Sequence, residues 1–296
     1  MISVLIPIFN FNVTNLVKEI HTQLAILNIN FEIICIDDAS TTHNFVKNNT
    51  IEQLNNVTFI KLNKNIGRSK IRNLLALKSK YNWLLFLDVD VIPKQQCFIK
   101  NYIDCINSKE GEVYVGGISY ENIKPTKDRL LRWIYGKKRE EVSFNNRKKI
   151  PYKYFFGGNF LISKTIFNSI KFDESLSKYG YEDVLFALSL KIRGINIVQV
   201  NNPIIHLGIP KTKDFLVNIE HSIENLAILC EKEILLNEVK ILKVYAFLNR
   251  YYLIFPFGLL FSLLKPMLVR NLGSKNPKLF VLDFYKLGYL CFLKKN

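Results

Sequence analysis

Residues 83–90 read Trp-Leu-Leu-Phe-Leu-Asp-Val-Asp, an apolar run that ends in two acidic side chains, Asp88 and Asp90. A continuous apolar run of this length is typical of a strand that is covered on both faces, as in parallel sheets. In an open α/β sheet the ligand crevice lies outside the carboxyl ends of the strands. The run therefore predicts a buried strand that delivers two carboxylates to a ligand crevice.

The flanking sequence predicts more strands of the same kind. Up to about residue 120, short apolar runs alternate with amphipathic stretches, which is typical of βαβ units and a mainly parallel sheet. Residues 31–36 form a second run that ends in acids, Asp37 and Asp38. We expect both acidic pairs at one crevice. The pattern predicts strands at 2–7, 31–36, 57–62 and 83–87, and helices at 15–27 and 66–77.

Asp88 and Asp90 can share a divalent cation with a ribose or a diphosphate. Mg²⁺ and Mn²⁺ prefer oxygen ligands and often bind through one or two carboxylates plus substrate phosphates. The pair taken alone is equally consistent with a solvated turn before Pro93. His206 follows a strand-like run at 198–205 and is a candidate third ligand. A lone histidine, however, is more often structural.

Two predicted helix starts carry further charged residues. Residues 65–72 place Gly67, Arg68 and Arg72 at a helix N-terminus, which favours phosphate, and arginine binds phosphate through two hydrogen bonds. An ordinary basic helix face is the alternative. Glu182 and Asp183 open a helix predicted to end near Arg193, with Gly194 following it. An ionised carboxylate there suits a general base, although helix capping is the commoner use.

The C-terminal region differs from the rest of the chain. Residues 251–264 carry no charge, but fourteen residues are fewer than the roughly 20 that span a bilayer, and Pro256 and Gly258 are expected to break the run. A second aromatic stretch, 279–293, precedes two lysines. We expect an amphipathic element in a membrane interface, its basic edge toward anionic headgroups. A helical hairpin packed on the core is the alternative.

The overall composition narrows the class of protein. The chain has 296 residues and a net charge of +16, from 41 Lys and Arg against 25 Asp and Glu, which favours anionic partners. Its five cysteines form no C-x-x-C pair, so neither a disulfide framework nor a zinc site is indicated, and a reducing compartment fits. No basic region precedes the first apolar run, so it is interpreted as a core strand rather than a signal peptide.

Six short motifs occur in a characteristic order. They are Val4-Leu-Ile-Pro-Ile-Phe-Asn10, Ile36-Asp-Asp-Ala-Ser40, Asn65-x-Gly-x-x-x-x-Arg72-Asn73, Leu87-Asp-Val-Asp90, Gly157-Gly-Asn159 and Glu182-Asp183. Over roughly residues 1–208, their order and spacing resemble the family 2 glycosyltransferases of the GT-A fold. The resemblance implies an α/β domain with a mainly parallel central sheet flanked by helices, here followed by a C-terminal helical appendage.

The resemblance also implies donor-binding roles. Pro7, Phe9 and Asp38 would hold the base of a nucleotide-diphosphate sugar, with Asn10 in the same site. Arg72 would approach the base or the diphosphate. Asp88 would contact the ribose and the metal. Asp90 would bind a Mn²⁺ or Mg²⁺ ion, with His206 as a further metal ligand. Gly158 and Gly157 would leave room for the sugar or the acceptor.

The implied chemistry is a direct displacement that inverts the anomeric centre. Asp183 matches the catalytic base that deprotonates the acceptor hydroxyl, and Glu182 beside it would contact the acceptor. The apolar, basic C-terminal region, rather than the resemblance, favours a glycan or lipid-linked saccharide acceptor in cell-surface polysaccharide biosynthesis. The same region and the cysteine content lead us to expect a cytoplasmic enzyme, peripheral at the inner face of the plasma membrane.

The expected domains are a glycosyltransferase domain at 1–212, with a nucleotide-binding half at 1–120 and an acceptor-binding half at 121–212, and a helical region at 213–296.

A nucleotidyltransferase is an alternative, although Glu182 and Asp183 have no natural role in it. A nucleic-acid binder would explain the charge, but the basic residues are dispersed and no binding module occurs, so no nucleic-acid partner is expected. A dehydrogenase is disfavoured because G-x-G-x-x-G is missing. A catalytically inactive scaffold is the remaining alternative.

Overall fold

The computed structural model describes residues 1–41, 48–176, 178–230 and 238–294. The chain forms two compact units. The first unit comprises Met1–Glu121, Glu140–Ser175 and Glu182–Gly208, and the second comprises Asn122–Arg139, Leu176–Tyr181 and Ile209–Asn296. The division at residues 212 and 213 stays a prediction.

The described part of the first unit is built on a seven-stranded sheet of order β3-β2-β1-β4-β8-β6-β9. Its first four strands are parallel, and β8 is antiparallel to both β4 and β6. The four strands expected from apolar runs are confirmed to within a residue or two at their ends. The strands are β1 (Ile2–Ile8), β2 (Phe31–Asp37), β3 (Val57–Lys61), β4 (Trp83–Leu87), β6 (Val113–Val115), β8 (Asn159–Ser163) and β9 (Val198–Gln199).

Helices flank this sheet, and the expected α/β class with a mainly parallel sheet is confirmed. Gly194 follows the last helix of the unit with φ +67°, and its N–H donates to the Lys191 carbonyl at 3.1 Å, as predicted for a C′ glycine. The helices are α1 (Thr14–Ile26), α2 (Arg68–Lys78), α3 (Phe98–Ser108), α5 (Phe144–Lys149), α6 (Lys164–Ile170) and α7 (Glu182–Ile192).

An aromatic cluster joins β4 to α7. Phe86 of β4 stacks on Phe160 of β8 with ring centroids 4.8 Å apart, and Phe172 stacks on Phe186 of α7 at 4.4 Å. All four rings are buried. Buried aromatic pairs contribute about 0.5–1.5 kcal/mol beyond the area that they remove from water. The cluster therefore fixes the end of β4 relative to the start of α7, where the acidic motifs lie.

The run at 198–205 is not one strand, contrary to the sequence interpretation. After β9 the chain leaves the large sheet, and Ile204–His206 forms β10 in a three-stranded sheet of order β5-β10-β7, with β5 at Val91–Pro93 and β7 at Ile118–Ser119. Pro203 lacks the N–H of a ladder residue. The buried Asn202 amide donates to the Phe98 carbonyl at 2.9 Å and anchors the chain where it passes from the large sheet to the small one. His206 consequently pairs with Val91, next to Asp90.

The second unit is helical. Its helices are α4 (Leu130–Tyr135), α8 (Thr212–Leu229), α9 (Lys240–Arg250), α10 (Ile254–Leu272) and α11 (Leu279–Leu293). Gly258, near the start of α10, lies against the backbone of Cys291, near the end of α11. The two helices therefore form an antiparallel hairpin.

Pro256 and Gly258 do not break α10, which corrects the sequence expectation. Pro256 occupies the first turn of the helix, where no intrahelical N–H bond is lost. The helix continues through Pro266 to nineteen residues. In the described part of the chain, α10 is the one helix that meets the length and composition expected of a membrane span.

Candidate active site

Two arginines of α2 connect the acidic end of β4 to the acidic start of α7. The Arg72 Nη2 atom lies 2.7 Å from Asp88 Oδ1, and the Arg68 Nε atom lies 3.0 Å from Glu182 Oε1. Longer approaches of 3.9 Å join Arg68 to Asp88 and Arg72 to Glu182. The positive residues expected near phosphate thus lie between two carboxylates contributed by different elements.

Asp88 is held ionised by these arginines. Burial opposes the charge, but Arg72, then Arg68, outweigh it and lower the pKa of Asp88 below its ordinary value. Its backbone N–H donates to the Gly158 carbonyl at 3.1 Å. The Arg72 side chain is itself buried, with its guanidinium 5.3 Å from the ring centroid of Phe172.

Asp183 has the environment of a poised base. Its Oδ2 accepts a 3.0 Å hydrogen bond from the Gly157 N–H, and its buried Oδ1 accepts none among the described residues. Burial, followed by the neighbouring Glu182 carboxylate, raises the pKa of Asp183 to about 6. The group is therefore a carboxylate near neutral pH with one oxygen available for a further donor.

Glycines let the backbone approach these carboxylates closely. A Cβ placed on Gly157 would lie 2.3 Å from Asp183 Oδ1, and one on Gly158 would lie 2.4 Å from Asp88 Oδ2. Both distances are far shorter than any real contact of a methyl group. The pair of glycines thus brings the two carboxylates against the same short segment.

Asp90 and His206 meet at the edge of the small sheet. Asp90 Oδ2 lies 3.5 Å from His206 Nε2, and the Tyr120 ring stacks on the His206 ring with centroids 5.5 Å apart. The Tyr120 hydroxyl in turn donates to Glu140. The Asp90 carbonyl accepts from the Leu207 N–H at 2.8 Å, and a Cβ on Gly208 would overlap the Asp90 carboxylate.

The residues present fit part of a Mn²⁺ or Mg²⁺ site. Among the described residues no group of three His, Cys, Asp or Glu side chains is arranged to hold a metal. Asp90 and His206 nevertheless offer a carboxylate and an imidazole side by side. Burial and the Asp88 charge raise the pKa of Asp90 against the effect of His206, so a bound cation would relieve an unfavourable charge. The other ligands would be donor phosphates and water.

Asp38, just after β2, accepts hydrogen bonds from the backbone that leads into α2. Its Oδ1 accepts from the Ile66 N–H at 2.7 Å and its Oδ2 from the Gly67 N–H at 3.0 Å. Burial nonetheless raises the pKa of Asp38, with these bonds opposing the shift. Each oxygen has a second lone pair that a nucleotide base could use. The structure thus assigns Asp38 a loop-supporting role that the motif alone did not indicate.

The other predicted base-binding residues follow β1. Pro7 pairs only with β2, since the ladder between β1 and β4 ends at Leu5. Phe9 is half exposed. The Asn10 side chain accepts from the Thr41 N–H at 2.9 Å, and its own N–H donates to the Ser40 hydroxyl at 2.7 Å. The exposed Phe9 ring is thus flanked by a hydrogen-bonded turn at the end of β1.

The structure brings together residues that the sequence indicated separately, in two groups. Asp90 and His206 form one group. The other group consists of Arg72, Asp88, Gly157, Gly158, Glu182 and Asp183. Sequence reasoning missed Tyr120 and Gly208. It noted Arg68 only as local positive charge. Neither Tyr120 nor Gly208 lies in a motif; the structure identifies Tyr120 by its contact with His206 and Gly208 by its contact with Asp90.

Comparison with known proteins gives an independent line of evidence. A sequence profile described as glycosyl transferase family 2 matches residues 3–171, which is more than half of the chain. Chondroitin synthase of Pasteurella multocida (strain Pm70) is 25% identical over 229 residues, which is 65% of this chain and 23% of that protein. The chain therefore spans about a quarter of the length of this curated relative.

Two solved structures have a similar fold. One is the mannosyltransferase PcManGT from Pyrobaculum calidifontis in complex with GDP-Man and Mn²⁺, with TM-score 0.55, 12% identity and coverage of 78% of this chain and 64% of that one. Another is S. aureus TarS 1–349 in complex with UDP-GlcNAc, with TM-score 0.52, 18% identity and coverage of 99% and 91%. At these identities the likeness establishes the fold alone, and the expected GT-A type is confirmed.

The profile match covers the acidic end of β4, the start of α2 and the glycine pair, and it ends before Glu182, Asp183 and His206. Glu182 and Asp183 are assigned to the site by their contacts instead. Glu182 forms an ion pair with Arg68 of α2, and Asp183 accepts a hydrogen bond from the Gly157 N–H. On the profile match and the fold together, the chain belongs to glycosyl transferase family 2.

Proposed function

We propose that this protein transfers a sugar from a nucleotide-diphosphate sugar to a hydroxyl group, with inversion at the anomeric carbon and with a divalent metal ion. The observation that carries the proposal is the position of Asp183. Its carboxylate is fixed by the Gly157 N–H, has a raised pKa of about 6 and keeps one oxygen without a hydrogen-bond donor among the described residues. It stands beside the ion pairs formed by the α2 arginines.

The donor would bind along the start of α2 and the end of β1. Arg68 and Arg72 supply positive charge for the diphosphate, and the residues proposed for the base are Pro7, Phe9, Asn10 and Asp38. Asp88, held ionised by Arg72, would accept from the ribose. The proposal is supported by the nucleotide sugars in the related structures, GDP-Man in one and UDP-GlcNAc in the other.

The proposed reaction is a single displacement. Asp183 takes the proton of the acceptor hydroxyl as the oxygen attacks the anomeric carbon, and the bond to the diphosphate breaks on the opposite side. In this proposed mechanism no covalent intermediate forms on the enzyme. Glu182, held by Arg68 at 3.0 Å, would contact the acceptor. A Mn²⁺ or Mg²⁺ ion held by Asp90 and His206, near Asp88, would offset charge on the departing diphosphate.

We further propose a glycan or lipid-linked saccharide acceptor and a role in cell-surface polysaccharide biosynthesis. The similarity to a chondroitin synthase supports a polysaccharide product. The cysteines that the structure describes are free, which fits the cytoplasm. The basic, apolar C-terminal helices support a peripheral position at the inner face of the plasma membrane.

Calorimetric titration of the purified protein with UDP, GDP and dTDP, with and without Mn²⁺, tests the proposal. We expect metal-dependent binding of one nucleotide, and loss of that binding in Asp90→Ala. Leu77→Ala, an exposed change at the far end of α2, should bind as the unmodified protein does. Failure of all three nucleotides to bind with metal present would contradict the proposal and favour a nucleotidyltransferase or a nucleic-acid binder.

A further inference from the structure

The segment from residue 239 to residue 282 has a one-sided charge. It contains seven cationic residues and no acidic residue. The preceding Glu238 and the following Asp283 bound this stretch, and Asp283 forms an ion pair with Arg139 at 2.7 Å. All of these cations except Lys265 are exposed, and an exposed cationic surface favours an anionic partner. The cations are Lys240, Lys243, Arg250, Lys265, Arg270, Lys275 and Lys278.

Helix α10 presents large apolar side chains to solvent within this segment. Phe255, Leu259, Leu263 and Met267 follow one another at four-residue spacing, so they lie along one face of the helix. Leu263 is 71% exposed and Met267 is 70% exposed. Of the nineteen residues of α10, only Gly258, Phe261 and Leu272 are buried. The helix therefore has an outer face that the described residues of the second unit leave exposed.

The charged residue in the middle of α10 is directed away from that outer face. Lys265 Nζ lies 2.8 Å from Glu220 Oε1 of α8 and 5.9 Å from the ring centroid of Tyr285 in α11. Tyr285 also donates to Glu220, at 2.5 Å. Lys265 is thus neutralised on the inner side, where α10 packs against α8 and α11. The outer stripe carries no charge before Arg270.

Neighbouring elements extend the apolar surface. Val244 and Phe247 of α9 are exposed, and so are Tyr251 and Tyr252 in the turn to α10, where Tyr252 is 91% exposed. Phe280 at the start of α11 is also exposed. Aromatic side chains flanked by lysine and arginine are characteristic of protein surfaces at the headgroup level of a bilayer.

We propose that the exposed side chains of residues 240–280 form a docking face for an anionic lipid bilayer, with α10 lying in the plane of the interface. A second copy of this chain is a poor occupant, because each of the two faces would bring six exposed cations and no acid from residues 239–282. A spanning α10 is disfavoured because its inner face holds the Lys265–Glu220 ion pair. This docking face rests on the membrane location proposed above and identifies the surface responsible for it. Lipid binding by this face does not depend on nucleotide binding.

Vesicle binding by the full chain tests the proposal. The protein is sedimented with phosphatidylcholine vesicles and with vesicles in which about a third of the lipid is phosphatidylglycerol. We expect binding to the anionic vesicles that weakens with added salt, and at least roughly tenfold weaker binding to the neutral ones. Equal binding to both kinds, or no binding to either, would overturn the proposal.

Matched double variants locate the face. Leu263→Glu with Met267→Glu should weaken binding to anionic vesicles by roughly tenfold or more. Ile26→Glu with Leu77→Glu adds the same charge at two equally exposed apolar positions of the first unit and should change binding by less than about threefold. An equal loss of vesicle binding in both double variants would mean that binding depends on net charge alone, and would overturn the assignment of the face.

The depth of α10 is tested by alkaline carbonate extraction of the vesicle-bound protein. Extraction into the supernatant is expected for an interfacial helix, and retention in the pellet would show a spanning helix and overturn the proposed orientation. Calorimetry with the nucleotide that the unmodified protein binds should give unchanged affinity for the Leu263→Glu, Met267→Glu variant. That measurement separates failure of the docking face from failure of the proposed transferase activity.

Discussion

Arg72 and Asp88 form a close ion pair away from solvent, with Nη2 and Oδ1 2.7 Å apart and side-chain exposures of only 2% and 15%. Arg72 comes from α2 and Asp88 from the end of β4. An ion pair in such a place is strongly destabilising to break, because the surviving charge is left without a partner. The pair therefore couples the proposed donor site to the stability of the first unit.

Arg72→Leu should lower the free energy of unfolding by about 3 kcal/mol, since Asp88 would keep its burial and lose its nearest counter-charge. Urea unfolding at neutral pH measures the change. Arg72→Leu combined with Asp88→Asn should recover part of the loss, because the uncompensated charge is then removed.

The Lys100–Asp104 pair in α3 provides the control. It has the same 2.7 Å separation, but both side chains are more than half exposed. Lys100→Leu should lower the free energy of unfolding far less than Arg72→Leu does, because water screens an exposed ion pair. Equal losses for Lys100→Leu and Arg72→Leu would show that burial of the Arg72 pair does not matter.

Gly157→Ala should lower kcat about a hundredfold with a smaller effect on nucleotide binding. The added methyl group would lie 2.3 Å from Asp183 Oδ1 and must displace the carboxylate, and displacements near 1 Å have costs of this size. Steady-state release of nucleoside diphosphate gives kcat, and calorimetry gives the affinity.

Gly273→Ala is the matched change, because its methyl group would meet only the Val269 carbonyl at an ordinary 3.5 Å. It should leave both quantities unaltered. A Gly157→Ala enzyme with full kcat would refute the view that Asp183 depends on this close approach.

Asp183→Asn should raise stability above pH 6 while it removes activity. The pKa of Asp183 is raised from 3.8 to about 6 in the folded protein, so the folded state binds the proton more tightly than the unfolded state does. Stability contributed by this group is therefore lost as the pH rises from about 4 to about 6, and stays lost above that.

The gain in the free energy of unfolding for Asp183→Asn should be about 1–2 kcal/mol at pH 8, allowing for partial contact with water. It should shrink toward zero as the pH falls to about 4. Urea unfolding at the two pH values measures it. A variant less stable than the unmodified protein at pH 8 would mean that the ionised carboxylate is stabilised in the fold.

Tyr120 is predicted to position His206 through the stacked rings, which lie 5.5 Å apart. Tyr120→Ala should weaken Mn²⁺ binding by about tenfold, since residues that orient a metal ligand typically have effects of this order. Tyr120→Phe keeps the stacked ring and should bind Mn²⁺ within about threefold of the unmodified protein. Electron paramagnetic resonance of free Mn²⁺ gives both affinities, and equal weakening in the two variants would assign the effect to the hydroxyl group instead.

Local patterns in the sequence predicted most of the large sheet. The strands ending at Leu87 and Asp37 are mostly apolar runs that are buried on both faces, as is typical of strands inside a parallel sheet. The order of the acidic motifs then predicted one crevice. The Arg72–Asp88 contact follows from that topology, but its distance depends on packing that no local pattern encodes.

The remaining features depend on contacts between distant segments. Val198–Ile205 is apolar at both ends, but Pro203 and the buried contacts of Asn202 with Phe98 and Asn159 divide it into two strands. The position of His206 beside Asp90 follows from that division. In α10, packing against α11 overrides the helix-breaking tendency expected of Gly258. Tyr120 could not be identified as a site residue because its partner, His206, lies in another strand.

The most direct test of the account is the rate of nucleoside diphosphate release by Asp183→Asn, measured with the donor sugar whose nucleotide binds in calorimetry. The account predicts unchanged donor affinity and a fall in kcat of at least about a hundredfold. It also predicts that kcat/KM of the unmodified enzyme rises tenfold per pH unit below about 6 and then levels off, because Asp183 must lose its proton. Release within about threefold of the unmodified rate, with donor still bound, would contradict the assignment of Asp183 as the base.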